Sequence, residues 1–122
     1  MQSTLAHNLT QQPWTLETIM GEVVQVETDV EIVAKKMWHR GNQATARDLF
    51  DLVLVLQTDP IGMAREAQWM VRHREAFLEQ IVERRAALQK TFNAISRLPN
   101  PRVVVPGYDE CVERARAFLL SI

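Results

Sequence analysis

Several things are scarce in this chain of 122 residues. Cysteine occurs once, at Cys111, so an internal disulfide framework is excluded, and a lone thiol fits a reducing compartment. The formal net charge is -1, so no basic field of the whole molecule argues for nucleic acid. No apolar run approaches the ~18 residues a membrane helix needs, and the longest, Leu52 to Leu56, has the length of a core segment. Residues Met1 to Asn8 carry neither the basic region nor the apolar centre of a secretion signal. These absences together lead to the expectation of a cytoplasmic protein. Glycine is sparse: Gly21, Gly41, Gly62 and Gly107 precede Glu, Asn, Met and Tyr, so no turn that cradles phosphate is visible. No Asp-x-Asp occurs anywhere. His7, His39, His73 and Cys111 are too scattered for a zinc site.

What remains is 47% hydrophobic with only 7% aromatic residues, which suits one small core of helices packed through Leu, Val and Ala. The richest stretch is Asp29 to Val55. Thr28-Asp29-Val30-Glu31 has the form of a capping box and predicts a helix start. Val30, Val33, Ala34 and Met37 fall on one stripe at helical spacing. His39 and Arg40 in the last turn, followed by Gly41, predict its end. Thr45 caps a second helix, with Asp48 at the capping-box position, running to about Thr58 before Asp59-Pro60. Leu49, Phe50, Leu52, Val53, Leu54, Val55 and Leu56 surround that helix, so it is expected to be buried. Asp48 and Asp51 therefore sit on an apolar helix, where an unpaired carboxylate costs several kcal/mol. Their nearest cations are Lys35, Lys36 and Arg40, one short loop upstream, and Arg47 beside them. On the helical wheel Lys36 lies beside Val33 and is the one expected to face the second helix. The expectation is a polar cluster between two packed helices, with Lys36 and Asp51 in salt-bridge reach.

The rest of the chain is arranged around that pair. Trp14 to Thr28 reads as a β-hairpin, with Val24 and Val26 alternating with Gln25 and Glu27 and Met20-Gly21-Glu22 as the turn. Asp59-Pro60 caps a third helix with an inner face of Met63, Ala67, Met70 and Val71. Arg72-His73-Arg74 marks a break, and one long fourth helix follows with Phe77, Leu78, Ile81, Val82, Leu88, Phe92 and Ile95 on one side. Leu98 to Gly107, with three prolines, is a linker or a short strand around Val103 to Val105. Tyr108-Asp109 opens a last amphipathic helix carrying Val112, Ala115, Phe118 and Leu119. The expected fold is mainly α: a bundle of about five helices preceded by an N-terminal β-hairpin. It forms one domain over 1–122, with the hairpin at 14–28, a helical core at 29–97, a linker at 98–107 and a C-terminal helix at 108–122.

Each polar feature also has a plain structural reading. Asp48 in a first turn is favoured by the helix dipole and by capping whatever it binds. Arg47 and Asp51 form an i, i+4 staple worth ~0.2–0.5 kcal/mol. Lys35 and Lys36 can be simply solvated, and His39 is a C-terminal cap. His73 within its basic run can meet a phosphate, but three residues are a weak signal.

Three stretches carry a resemblance: Glu31-Ile32-Val33-Ala34-Lys35-Lys36, then Arg40-Gly41, then Arg47-Asp48-Leu49-Phe50-Asp51-Leu52. In order and spacing they resemble the AbiEii/AbiGii-type nucleotidyltransferase toxin family, and the likeness extends more weakly through Phe92 and Gly107-Tyr108-Asp109-Glu110-Cys111. The resemblance implies that Lys36, with Lys35 as runner-up, and the motif residues Asp48 and Asp51 complete a nucleotidyltransferase site, supported by Arg40 and Arg47. It covers only the C-terminal half of such an enzyme. The family's Asp-x-Asp strand, which holds magnesium, and its Gly-Ser or Gly-Gly turn, which receives the triphosphate, are absent here. The expectation is a truncated or split nucleotidyltransferase of the toxin–antitoxin or phage-defence type, inactive alone. It needs no cofactor by itself, and magnesium and a nucleoside triphosphate once a catalytic lobe completes it. The resemblance allows an antitoxin as partner and tRNA as acceptor; no membrane partner is expected. The alternative is a non-catalytic helical protein-interaction or dimerisation module. Under either reading an open hairpin edge is expected to recruit a separate lobe or a second copy of the chain as a homodimer.

Overall fold

Thr28 is the hinge of the architecture. It closes a two-stranded antiparallel sheet, β1 (Trp14–Ile19) and β2 (Glu22–Glu27), and its side chain accepts from the Glu31 backbone N–H to cap helix α1 (Asp29–Arg40). The computed structural model describes residues 8–96 and 104–122. Its further elements are α2 (Ala46–Thr58), α3 (Pro60–Arg65), a 3-10 turn (Ala67–Met70), α4 (Arg74–Glu83), α5 (Arg85–Ser96) and α6 (Tyr108–Ser121). The fold is mainly α with an N-terminal hairpin, as the patterning predicts.

The hairpin turns on Met20 and Gly21, at φ 53° and 86°. Two consecutive left-handed residues make the kind of two-residue turn whose twist matches the strands it joins. Trp14 pairs with Glu27 and Ile19 with Glu22. No residue of either strand is buried.

Helix α2 is the axis of the body and packs against α1, α3, α5 and α6. Leu49, Leu52 and Val53 are fully buried, and Val33, Ala34 and Met37 of α1 close over them as the stripe predicts. Gly41 ends α1 for want of space. Its φ is -60°, so no left-handed turn is involved, but a Cβ there would lie 2.6 Å from the Met37 carbonyl oxygen and 2.9 Å from the His73 Cβ.

The single long fourth helix of the sequence reading is two helices, α4 and α5, broken at Arg84 (φ -97°, ψ 23°). This raises the helix number from about five to six among the described residues. The Tyr108 hydroxyl donates to the Ile81 carbonyl at 2.6 Å, the oxygen that the Arg85 N–H would use in an unbroken helix. Arg85 instead grips Asp109 at 2.8 and 2.7 Å, fastening the start of α5 to the start of α6. The break lets Phe77 and Ile81 of α4 serve the α6 side while Leu88 and Phe92 of α5 turn toward α2, and Val82, expected inside, is exposed. Residues 97–103 lie outside the described ones, which covers most of the proposed linker and Val103; Val104 and Val105 form no strand. In α6 the buried face is Tyr108, Cys111, Ala115 and Leu119, with Val112 and Phe118 half-buried at its flank. No helix among the described residues is long and apolar enough to cross a membrane.

Candidate functional site

The α1–α2 pair brings five of the six candidate residues together. Lys36 Nζ lies 2.8 Å from Asp51 Oδ2 and 3.6 Å from Asp48 Oδ1. Arg40 Nη2 donates to Asp48 Oδ1 at 2.7 Å, and Arg47 Nε lies 3.2 Å from Asp51 Oδ1, with its guanidinium 5.6 Å from the centre of the Phe50 ring. Three cations thus meet two carboxylates, leaving one positive charge in excess. The local reason is capping. Thr45 accepts from the Asp48 N–H at 3.1 Å, which fixes the first turn of α2 and aims Asp48 and Asp51 at α1. Asp48 does not complete a reciprocal capping box, because its carboxylate is spent on Arg40 and Lys36. The side chain of Asp48 is only 4% exposed, whereas Arg40 and Arg47 are about half exposed at 48% and 55%, so the cluster is rooted in the core and open at its cationic rim.

Lys35 is not part of this cluster. It pairs with Glu27 at the end of β2 and lies 3.8 Å from Glu31 Oε2, so it ties the hairpin to α1. The two neighbouring lysines therefore divide between two faces of one helix, and Lys36 is the one that meets α2.

Two buried carboxylates escaped the sequence reading. Glu31, predicted as a capping partner, is fully buried and accepts from the Leu9 N–H at 3.0 Å, the Thr10 N–H at 2.9 Å and the Thr10 hydroxyl at 2.6 Å. Glu66 is also buried and accepts from the Gln11 N–H at 3.2 Å and Arg65 Nε at 3.1 Å. Together they hold residues 9–11 against the body. The signal was present: Glu31 stands three before Ala34, and Glu66 stands between Met63 and Met70, each on an apolar stripe. The Arg72-His73-Arg74 run also has structural partners. Arg72 lies 4.7 Å over the Trp38 ring, and Arg74 Nη1 donates to the Leu119 and Ile122 carbonyls at 3.0 and 2.7 Å, closing the end of α6. His39 is exposed in the last turn of α1.

The chemistry open to the cluster follows from its occupied oxygens. Magnesium needs carboxylate oxygens free to face it. Asp48 Oδ1 and both oxygens of Asp51 already lie against cations, and among the described residues no group of three His, Cys, Asp or Glu side chains is placed to hold a metal. The cluster does not fit a metal as it stands. Its half-exposed guanidiniums fit an anion. Elsewhere, Cys111 is buried, donates to the Pro106 carbonyl, and burial pushes its thiol up to about 12, so it is no nucleophile at neutral pH. No family model, no curated protein and no solved structure matches the chain.

Proposed function

We propose that this chain is the helical half of an AbiEii-like nucleotidyltransferase of the toxin–antitoxin type, acting in the cytoplasm and completed by a catalytic lobe that carries the metal. The observation that carries the reading is the convergence of Lys36, Arg40, Arg47, Asp48 and Asp51, the residues the family resemblance selects, in one cluster open at its cationic rim. In this reading Arg40 and Arg47 neutralise phosphate oxygens, and Lys36, held by Asp51, is positioned for the nucleotide. Asp48 is a positioning residue for Arg40. The chain's own carboxylates are engaged, so the metal belongs to the other lobe, and the nucleoside triphosphate and a tRNA acceptor enter with it. An antitoxin would be a further partner.

The test has two arms. The isolated chain, incubated with each labelled nucleoside triphosphate, magnesium or manganese, and total tRNA, is expected to transfer nothing. Co-expressed with a neighbouring frame that encodes a Gly-Ser turn and Asp-x-Asp, it is expected to label, and Lys36→Ala should lower labelling by about 100-fold, the typical loss of one charge-stabilising donor. Labelling by the isolated chain that Asp51→Ala abolishes, or a reconstituted enzyme indifferent to Lys36→Ala, would contradict the reading.

A second reading, a non-catalytic interaction or dimerisation module, is favoured by the hairpin. Leu16 (67%), Val23 (66%) and Met20 (98%) are exposed on a sheet that, among the described residues, has no third strand on either edge. Light scattering at micromolar concentration separates the cases: a homodimer doubles the 14.0 kDa monomer mass, and a clean monomer removes self-association.

A further inference from the structure

We propose that the groove between α4 and α6 is a docking site for a basic amphipathic helix of a partner protein. The groove shares no residue with the α1–α2 cluster and does not depend on how that cluster is read. It is a shallow, open depression of about 360 Å³ floored by Leu78, Val82 and Leu120. Val82 is 53% exposed and Leu120 57% exposed, although each belongs to a helix whose opposite side enters the core.

One wall carries Glu75, Glu79 and Glu83, spaced by four residues along α4, and the other carries Arg116 of α6. All four are exposed, and none makes a salt bridge or side-chain hydrogen bond with another described residue. Nearby on α6 two exposed carboxylates do find cations: Asp109 takes Arg85 and Glu110 takes Arg114. Three like charges in an i, i+4 row raise the energy of the helix that bears them, and a cationic partner relieves it.

The chemistry of the walls selects the occupant. An acidic row repels nucleic acid and anionic lipid alike. An apolar floor with one acidic flank matches a helix that has apolar residues at i, i+4 and i+7 and Lys or Arg along one side. Helix α4 is ~15 Å long, enough for two to three turns of the visitor. Arg116 opposite the acidic row favours an acidic residue on the visitor's other flank and so fixes its orientation.

The probe is a fluorescein-labelled helical peptide of about fourteen residues with leucines at i, i+4 and i+7 and lysines along one flank. Its control carries glutamates in place of the lysines. Fluorescence anisotropy on the full chain is expected to give a Kd for the lysine peptide at least about tenfold below that of the control, and to weaken as salt rises. Glu79→Lys, an exposed change remote from the core, should cost the lysine peptide about tenfold or more while circular dichroism stays unchanged. Leu120→Ser should weaken both peptides. Equal binding of the two peptides, no binding below about 1 mM, or indifference to Glu79→Lys would each overturn the proposal. So would a dimer of the chain that Leu120→Ser dissolves, since the groove would then be filled by a second copy.

Discussion

The β-hairpin and helix α2 are both rich in branched apolar residues, and only one of them is buried. Strand β2 carries three valines and β1 carries Trp14, Leu16 and Ile19, yet no residue of either strand reaches the core. Helix α2 buries Leu49, Leu52, Val53 and Val55. The difference lies in what is packed on them. A sheet or helix becomes stable by laying its apolar face on a second layer. Among the described residues helix α2 packs on four helices, while the strands of the hairpin pack mainly on each other and are tied to the rest by Lys35 to Glu27, the Thr28 N–H to the Pro13 carbonyl at 2.9 Å, and the Thr28 hydroxyl to the Gln12 carbonyl at 2.9 Å. Two strands alone are marginal in water. Among the described residues the helical body covers its apolar faces, and the hairpin leaves most of its own exposed.

The sharpest way to break this contrast is to remove a side chain from each region. Leu52→Ala should lower the urea unfolding free energy by about 2–5 kcal/mol, the cost of a core cavity. Val23→Ala in β2 should stay within about 0.5 kcal/mol. A hairpin substitution as costly as Leu52→Ala would mean that the sheet is part of the core.

Next in size is the N-terminal tether. Glu31→Ala leaves the Leu9 and Thr10 N–H groups without their acceptor, at a cost of about 1–3 kcal/mol. Limited proteolysis at residues 8–12 should accelerate as well. An unchanged cleavage rate would mean that this segment is held by something else.

The contrast also marks what was legible in the sequence. Both helix caps of the central pair, the hairpin turn and the choice of Lys36 over Lys35 follow from local chemistry: a threonine with a free hydroxyl, a glycine between two strand-like runs, a lysine beside Val33. The division of α4 from α5 at Arg84 was not legible, because the hydroxyl that donates to the Ile81 carbonyl comes from Tyr108, 27 residues away in sequence. Glu31 was read only as a capping partner, and Glu66 was not singled out, for a related reason. A carboxylate on an apolar stripe signals a buried acceptor, but its donors at Leu9 to Gln11 are 55 residues away in one case, beyond any local pattern.

Smaller effects sharpen the account of the cluster. A double-mutant cycle of Lys36→Ala and Asp51→Ala should give a coupling of about 0.5–1 kcal/mol, modest because Lys36 is partly solvated and Asp51 keeps Arg47. High salt should reduce it. A coupling that salt leaves untouched would indicate that the pair is more deeply buried than the structure has it.

The smallest expected signal is at Cys111. Burial raises its thiol to about 12, so the folded protein keeps a proton that the unfolded chain releases earlier. Its contribution is therefore intact below the ordinary thiol range and declines as pH rises from there toward 12. At pH 8 iodoacetamide should leave folded protein unmodified by mass and alkylate it fully in urea. Rapid labelling of the folded chain would contradict the burial of α6 against the body.

The contrast between buried body and exposed hairpin is tested most directly by native-state hydrogen exchange, residue by residue, on the isolated chain. Amides of Leu52 to Val55 in α2 should exchange only through global unfolding. Those of β2, Val23 to Glu27, should open with free energies within about 1–2 kcal/mol of zero. Hairpin amides protected as strongly as those of α2 would contradict the account, because the sheet would then be a stable layer in its own right.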